Sequence, residues 1–332
     1  MVGWRAAATF LVTGLVLGGV RASEAASSPD RNAPPHLVSP YQPCELKLRP
    51  FYPMPSCSAG VLLHVRINGG QPLRLILDSG AEFIVIGAKA ARSVGLSAGS
   101  EMELVGLGSR PARVARAETV EIGPVIFRDC RTVLVEGIAV EGADGVVPLG
   151  LFSDFLLRLN LPKKTLGLIP YQREQDPAVP STRGVTKGAL LMVATVVNGK
   201  KSGYVVLDTA AFRSAISREV AGMLGDSHIA PEIRIGAGTG ATTGQLVSSA
   251  VRFMIAGREL IPKDVVALDL SNLSRHYGEE VVGILGFPAL NPHVLTIDYR
   301  NGLVKIEPPQ TIFDRERHRG QNAKPAPSLA LR

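Results

Sequence analysis

The sequence predicts a mainly β protein with two homologous β-barrel-like lobes and short helices. The first observation behind this fold class is composition. The chain of 332 residues has 35 Gly and 24 Pro, is 45% hydrophobic and only 5% aromatic, and its Val-, Ile- and Leu-rich runs are short, which is typical of turn-rich β proteins. The second observation is an internal repeat, in which landmarks of the first half recur in the same order in the second half.

The repeat is clearest at two acidic motifs that lie 130 residues apart. The first, Leu75 to Ala81, reads Leu-Ile-Leu-Asp-Ser-Gly-Ala, and the second, Val205 to Ala211, reads Val-Val-Leu-Asp-Thr-Ala-Ala. Each is predicted to be an apolar strand that delivers an Asp, Asp78 or Asp208, onto a tight turn. Two equivalent turns suggest two half-sites, each supplying one carboxylate to a shared centre.

Further landmarks surround both motifs. Short helices are predicted at Ala88–Val94 and Arg218–Leu224 because Gly95 and Gly225 follow them, and Gly just past a helix commonly forms a left-handed cap. The other matched pairs are Asn-Gly hairpin turns at 68–69 and 198–199, Gly clusters at 106–108 and 236–240, strands at 114–122 and 246–255 and at 132–136 and 264–268, apolar-Gly segments at 145–150 and 281–286, and apolar helices at 151–159 and 287–290.

These landmarks divide the chain into six predicted parts. They are a signal peptide (1–22), a Pro-rich lead or linker (23–59), an N-terminal lobe (60–172), an inter-lobe linker (173–186), a C-terminal lobe (187–309) and a basic disordered tail (310–332).

Residues 1–22 have the features of an export signal. Arg5 precedes an apolar run from Ala6 to Val20, and small residues at Ala22 and Ala25 suit cleavage. The run is shorter than the ~20 apolar residues that span a bilayer, so cleavage is favoured over an uncleaved anchor. We therefore expect an exported protein, periplasmic or secreted, with no stable membrane span after cleavage.

The lead carries eight prolines between residues 23 and 57, which excludes helix and sheet interior. It is a linker, a strap over the body or a removable prosegment, and the first two readings are favoured. One disulfide among Cys44, Cys57 and Cys130 is plausible in an exported protein. The sequence does not choose the pairing.

The net charge of +7 lies mainly at the ends of the chain, since the last 22 residues hold five basic and two acidic residues. A solvated basic tail explains this better than nucleic-acid binding does, so no nucleic-acid partner is expected. The six His are scattered without ligand spacing, and no metal or other cofactor is expected.

Two such turns that meet at a pseudo-twofold axis would place two carboxyls in contact. Like charges that close cannot both ionise, so the pair would share one proton. One carboxylate could then accept a proton from water while the other donates to a carbonyl oxygen. This chemistry is hydrolysis of an amide without metal or covalent intermediate.

The motifs resemble those of aspartic proteases. Asp78-Ser79-Gly80-Ala81 and Asp208-Thr209-Ala210-Ala211 match the two active-site turns of that family, and the segments at 145–150 and 281–286 resemble its apolar-Gly segments, which thread beside those turns. Over about 60–309 the chain is most similar to bacterial exported, retropepsin-like aspartyl proteases with both lobes in one chain.

The resemblance implies an aspartic protease fold with the active site in the cleft between the lobes. It also implies a monomeric aspartic-type endopeptidase acting on a peptide or protein substrate. The residues carried over are the catalytic pair Asp78 and Asp208, the turn residues Ser79, Gly80, Thr209 and Ala210, of which Ser79 and Thr209 would join the lobes, and the flap residues Gly106, Leu107 and Gly108.

Three departures from the family pattern bear on activity. Ala210 stands where the family has Gly, which is tolerable only if its backbone φ stays negative. The first-half flap lacks a Tyr, and Ala81 and Ala211 follow the turns where pepsin-like members carry a hydroxyl. Without that hydroxyl the pair should ionise less readily, which moves the expected activity toward weakly acidic or neutral pH. The alternatives are a noncatalytic peptide- or partner-binding relative and a structural envelope protein.

Overall fold

The computed structural model describes residues 10–11, 35–39, 41–52, 60–136, 142–171, 182–187, 189–225 and 232–308. The fold is mainly β, as predicted. Apart from Phe10–Leu11, the predicted signal peptide (1–22) lies outside the described residues, as does the basic tail (310–332). Both remain predictions.

The helices are short and the strands follow one another closely along the chain. In chain order the elements are β1 (Phe10–Leu11), β2 (His36–Leu37), β3 (Cys44–Lys47), β4 (Arg49–Phe51), β5 (Gly60–Ile67), β6 (Leu73–Asp78), β7 (Ile84–Gly87), α1 (Ala88–Ser93), β8 (Glu101–Val105), β9 (Ser109–Ile122), β10 (Val125–Val135), β11 (Gly145–Pro148), a 3₁₀ turn (Leu149–Phe152), β12 (Phe155–Asn160), β13 (Thr165–Pro170), β14 (Thr182–Lys187), β15 (Leu190–Val197), β16 (Lys201–Asp208), β17 (Ala215–Ser217), α2 (Arg218–Met223), β18 (Glu232–Ala237), β19 (Gly240–Leu246), β20 (Phe253–Ile255), β21 (Arg258–Leu260), β22 (Val266–Leu268), α3 (Ser271–Tyr277), β23 (Val281–Gly286), α4 (Phe287–Leu290), β24 (Val294–Asp298) and β25 (Leu303–Glu307).

The two lobes repeat one strand pattern. The first-lobe sheet has the order β2-β10-β7-β11-β6-β5-β9-β8, and the second-lobe strands run β18-β19-β22-β17-β23-β16-β15. Between them, β3, β13 and β12 join β24, β25 and β14 in a central sheet to which both halves contribute. The shared sheet fixes the two lobes against each other along their length.

The strand register carries the apolar-Gly segments beside the acidic turns. In the first lobe β11 lies between β6 and β7, parallel to β6, and Pro148 is opposite Asp78. In the second lobe β23 lies between β16 and β17, and Gly286 is opposite Asp208. Each Asp therefore ends a strand that is paired on its inner side by the segment expected there.

The short helices and their glycine caps match the sequence predictions. The first runs over Ala88–Ser93 and the second over Arg218–Met223. Gly95 and Gly225 follow them with φ of 69° and 80°, in the left-handed region. The caps are thus of the kind that favours Gly.

The apolar helix predicted at 151–159 is wrong. The structure has a 3₁₀ turn at Leu149–Phe152 and then strand β12 at Phe155–Asn160. Phe155, Leu157 and Leu159 are buried and Arg158 is exposed, and this alternation has the period of a strand, not of a helix. Pairing with both β13 and β24 stabilises the strand.

The lead supplies edge strands, and the linker supplies part of a strand inside the central sheet. β3 pairs with β13, and β4 pairs with β5, so the described part of the lead contributes strands to the sheets. Its role as linker, strap or prosegment stays a prediction. The predicted linker (173–186) ends inside β14, which pairs with β15 and β25.

Cys44 and Cys130 are free, and Cys57 lies outside the described residues. In the described ranges, no helix has the length and apolar character needed to cross a membrane.

The close packing around β11 predicts that adding one methyl group at Gly145 strongly destabilises the fold. A Cβ at Gly145 would lie 2.1 Å from the Val85 carbonyl oxygen, and backbone cannot move away cheaply. We expect Gly145→Ala to lower the free energy of unfolding by about 1–3 kcal/mol or more, measured by urea denaturation.

Gly222→Ala is the matched control for this substitution. Gly222 lies in α2 with no atom within 4 Å of its Cβ position, so alanine there should be neutral or stabilise by about 0.5–1 kcal/mol. Equal effects of the two substitutions would contradict the packing argument.

Candidate active site

The two acidic turns have the same local geometry. Asp78 ends β6 and its Oδ1 accepts a hydrogen bond from the Gly80 N–H at 2.7 Å. Asp208 ends β16 and its Oδ1 accepts one from the Ala210 N–H at 2.8 Å. One oxygen of each carboxyl is thus fixed by its own turn, which leaves the other oxygen to face across the cleft.

Ser79 and Thr209 join the turns through reciprocal hydrogen bonds between the lobes. The Ser79 hydroxyl donates to the Leu207 carbonyl at 2.6 Å, and the Thr209 hydroxyl donates to the Leu77 carbonyl at 2.6 Å. Each hydroxyl also accepts the backbone N–H of the other residue at 3.1 Å. The contact is therefore symmetric, and it holds the strands that carry both Asp residues in fixed register.

Both carboxyls are completely buried. Asp78 and Asp208 have 0% exposure, and Oδ2 of each lacks a hydrogen-bond partner that donates to it. The two carboxyls lie close enough for their side chains to interact with each other. Burial without donors disfavours the charged form and favours retention of a proton by the pair.

The electrostatics of the pair follow from this burial. Burial raises the pKa of Asp78 well above its usual range, and the facing Asp208 charge raises it further, while the Gly80 N–H opposes the rise. Burial likewise raises the pKa of Asp208, and the N–H groups of Ala210 and Ala211 oppose that rise. The pair therefore keeps a proton at a pH at which an isolated Asp has lost it.

Gly80 and Ala210 occupy equivalent positions under different constraints. A Cβ at Gly80 would lie 2.9 Å from both Cγ and Oδ2 of Asp208 and 3.2 Å from Oδ1 of Asp78, so Gly80 lies directly against both carboxyls. Ala210 is fully buried beside first-lobe apolar side chains and is not among the described residues with positive φ. The backbone of residue 210 can therefore accommodate alanine, because its φ is not positive.

Two hairpin tips close over the site. The predicted flap, Gly106–Gly108, is the tip of the β8–β9 hairpin. The Gly108 N–H donates to Thr239 Oγ1 at 3.3 Å, and Arg110 Nη1 reaches the Gly238 carbonyl at 3.5 Å. Gly238 and Thr239 form the tip of the β18–β19 hairpin, so a second flap from the other lobe completes the cover.

Leu107, at the tip of the first-lobe flap, packs against the second lobe. It is buried and belongs to an apolar cluster that is otherwise formed by second-lobe residues, among them Leu190, Ile235 and Tyr277. The first-lobe flap therefore packs against the opposite lobe. All the residues predicted for the site from the sequence are brought to this junction: the two Asp residues, the four turn residues and the three flap residues.

Sequence reasoning missed several residues at the site. Thr239 lies in the Gly cluster at 236–240, the counterpart of the predicted flap at 106–108, so the repeat could have indicated it. Glu82 and Phe212 each stand four residues after an Asp, in equivalent positions, and following the repeat further would have found them. Tyr277, in α3, contacts Glu82 and has no sequence signal. Across the described ranges, no group of three or more His, Cys, Asp or Glu residues could hold a metal ion.

Comparison with known proteins finds a similar family for the first lobe and a similar structure for most of the chain. Residues 63–160 match the family model described as aspartyl protease. The aspartic proteinase from Irpex lacteus has a similar structure, with a TM-score of 0.53 and 14% identity, over 82% of this chain and 98% of that chain. At this identity the similarity establishes the aspartic proteinase fold. No curated protein matches the sequence.

The different surroundings of Gly80 and Ala210 predict losses of stability of unequal size when their side chains are exchanged. We expect Gly80→Ala to lower the free energy of unfolding by about 1–3 kcal/mol, because its methyl group would overlap Asp208. Ala210→Gly, the matched control, should cost no more than about 1–2 kcal/mol for one lost methyl and added chain freedom. Urea denaturation measures both, and a larger loss for Ala210→Gly would contradict this account.

The buried pair also predicts a pH dependence of stability. The folded-state pKa values are raised above the ~3.9 of an unfolded Asp, so the protonated pair stabilises the fold fully below about pH 4. This contribution is lost as the pH rises through the folded values, that of Asp208 being about 7. The reference protein is the Asp78→Asn/Asp208→Asn double variant.

We expect the unfolding free energy of the wild type, relative to that of the double variant, to fall between pH 4 and pH 7. The slope should approach about 1.4 kcal/mol per pH unit for each proton released. A difference that does not change over this interval would show that neither pKa is raised.

Proposed function

We propose that this protein is an aspartic-type endopeptidase in which Asp78 and Asp208 activate water for attack on a peptide bond. The observation that carries the proposal is the pair of buried carboxyls on equivalent turns, each with its Oδ2 left without a donor. A fold alone has no use for two uncompensated carboxyls, because burying them is costly. A reaction that needs one acid and one base side by side has a direct use for them.

The proton-sharing pair supplies both roles in one step. The ionised carboxylate accepts a proton from the attacking water, and the protonated carboxyl donates to the oxygen of the scissile carbonyl. The tetrahedral product then collapses as the amine leaves with a proton. Since the pair titrates as a unit, neither Asp is assigned a fixed role in the resting state.

The flaps suit an extended polypeptide as substrate. The tips of the two lobes meet at Gly108 and Thr239, so they would cover a chain lying between the lobes and exclude bulk water from the reacting bond. Substrate entry requires the tips to separate. Export to the periplasm or beyond and a monomeric state remain proposals from the sequence.

A noncatalytic, peptide-binding protein is the alternative, motivated by Ala210. The backbone at Ala210 is ordinary and its N–H still donates to the Asp208 carboxyl at 2.8 Å. The alanine therefore gives no support to the alternative, whereas binding alone would not need the buried acid pair.

Peptide cleavage across pH tests the proposal. We expect Asp78→Asn and Asp208→Asn each to lower kcat/KM by at least about 10²-fold, since each removes one partner of general acid–base catalysis. Asp154→Asn is the control, because this carboxyl is exposed and lies in the turn before β12. It should leave cleavage unchanged.

The pH profile of the wild type adds a second readout. Its activity should fall on the acid side as the second carboxyl is protonated and on the alkaline side as the last proton is lost. Because the pKa values of both carboxyls are raised, the optimum should be weakly acidic to neutral. Undiminished cleavage by either Asn variant would refute the shared site, and a sharp optimum in strong acid would refute the raised pKa values.

A further inference from the structure

The two ends of the cleft differ at one pair of equivalent positions. Glu82 and Phe212 each stand four residues after an Asp, on turns that are otherwise nearly identical. Both side chains are half-buried. A pseudo-twofold axis between Asp78 and Asp208 places these positions on opposite sides of the dyad, so an extended peptide that crosses the dyad passes one on each side.

Glu82 lies in a polar environment. Its carboxyl faces the Tyr277 hydroxyl of the second lobe and the Arg131 guanidinium of its own lobe. Arg131 lies over the Phe83 ring, 4.9 Å from its centroid. We call Glu82, Arg131 and Tyr277 the polar subsite.

The polar subsite has unused hydrogen-bonding capacity. The Tyr277 hydroxyl is buried and, although it lies near Glu82, forms no hydrogen bond of normal geometry. Arg131 Nε is likewise buried without a partner. Burial raises the pKa of Glu82 to about 7, against the Tyr277 hydroxyl and the Arg131 charge. Unsatisfied buried donors of this kind cost free energy unless something else satisfies them.

Phe212 lies in an apolar environment. Its ring centroid is 6.3 Å from that of Phe51, in a tilted arrangement, and Phe51 ends β4, in the lead before the first lobe. Phe212 packs against the first-lobe cluster that contains Phe51, Ala81 and Val146. We call Phe212 and Phe51 the apolar subsite.

We propose that Glu82 and Phe212 determine which side chains the cleft accepts on opposite sides of the scissile bond. The polar subsite receives an uncharged side chain that both donates and accepts hydrogen bonds, such as Gln or Asn, and the apolar subsite receives a bulky apolar side chain. This inference rests on the proposed peptidase function and gives its substrate an orientation in the cleft.

The test exchanges the character of each position and measures cleavage of a peptide library that varies residues on both sides of the scissile bond. Glu82→Leu should shift preference on one side from Gln toward Leu by about tenfold, the scale of a single side-chain contact. Phe212→Gln should shift preference on the other side from Leu toward Gln. The matched controls are Glu82→Gln and Phe212→Leu, which should keep the original preferences.

Two outcomes would overturn the inference. One is that Glu82→Leu and Phe212→Gln alter the same side of the scissile bond, and the other is that neither alters any positional preference while the wild type still cleaves. Loss of all preference in the controls as well would also count against it, because it would show a structural role only. Thermal unfolding of each variant confirms that it is folded.

A binding measurement distinguishes failure of this inference from failure of the proposed function. If the wild type cleaves nothing, the peptidase proposal fails, and the same comparison is made by calorimetry with uncleavable reduced-amide peptides bearing Gln or Leu on each side. The inference then requires Glu82→Leu and Phe212→Gln to change affinity for opposite ends of the peptide. Equal affinities for wild type and both variants would refute it.

Discussion

The reciprocal hydrogen bonds between Ser79 and Thr209 are the contact on which the rest of the site depends. Each hydroxyl donates to a carbonyl of the strand in the other lobe, Leu207 or Leu77, and accepts the backbone N–H of its counterpart. A hydroxyl can do both at once, whereas an alanine could do neither. Since the bonded carbonyls directly precede Asp78 and Asp208, the contact sets the position of both carboxyls.

The same contact makes the burial of two acids possible. Each turn supplies one N–H to its carboxyl, from Gly80 or Ala210, and no donor to the second oxygen. The lobes are held together both here and along the central sheet, so the carboxyls cannot separate to regain water. The raised pKa values are thus a consequence of the fold, and proton sharing is the state with the least buried charge.

Much of the fold followed from the repeat. The strand into each Asp, the glycine caps at 95 and 225 and the apolar-Gly segments occurred twice, and a feature seen twice is a better guide than either copy alone. The helix prediction at 151–159 was wrong because a short apolar run does not distinguish a helix from a buried strand. The strand that forms there pairs with β24, a segment more than 130 residues away.

Contacts between the lobes were the least predictable part of the site. Thr239 bonds the opposite flap and Tyr277 faces Glu82, and both contacts depend on the relative placement of distant segments. α3 also has no counterpart in the first lobe that the sequence marks. The two Asp residues were found because a tight turn leaves a local motif, whereas a side chain that reaches across a cleft leaves none.

The position of Leu107 has a consequence for the affinity with which the cleft binds a ligand. The closed cover buries this side chain in the second lobe, and exposing a leucine costs roughly 1.5–3 kcal/mol. On this contribution alone, the conformer with separated tips would be on the order of 1–10% of the population at equilibrium. Ligands that enter only this minor conformer bind with an apparent affinity reduced by its fraction. Any ligand that enters the cleft must therefore gain enough free energy from its contacts there to offset the exposure of Leu107.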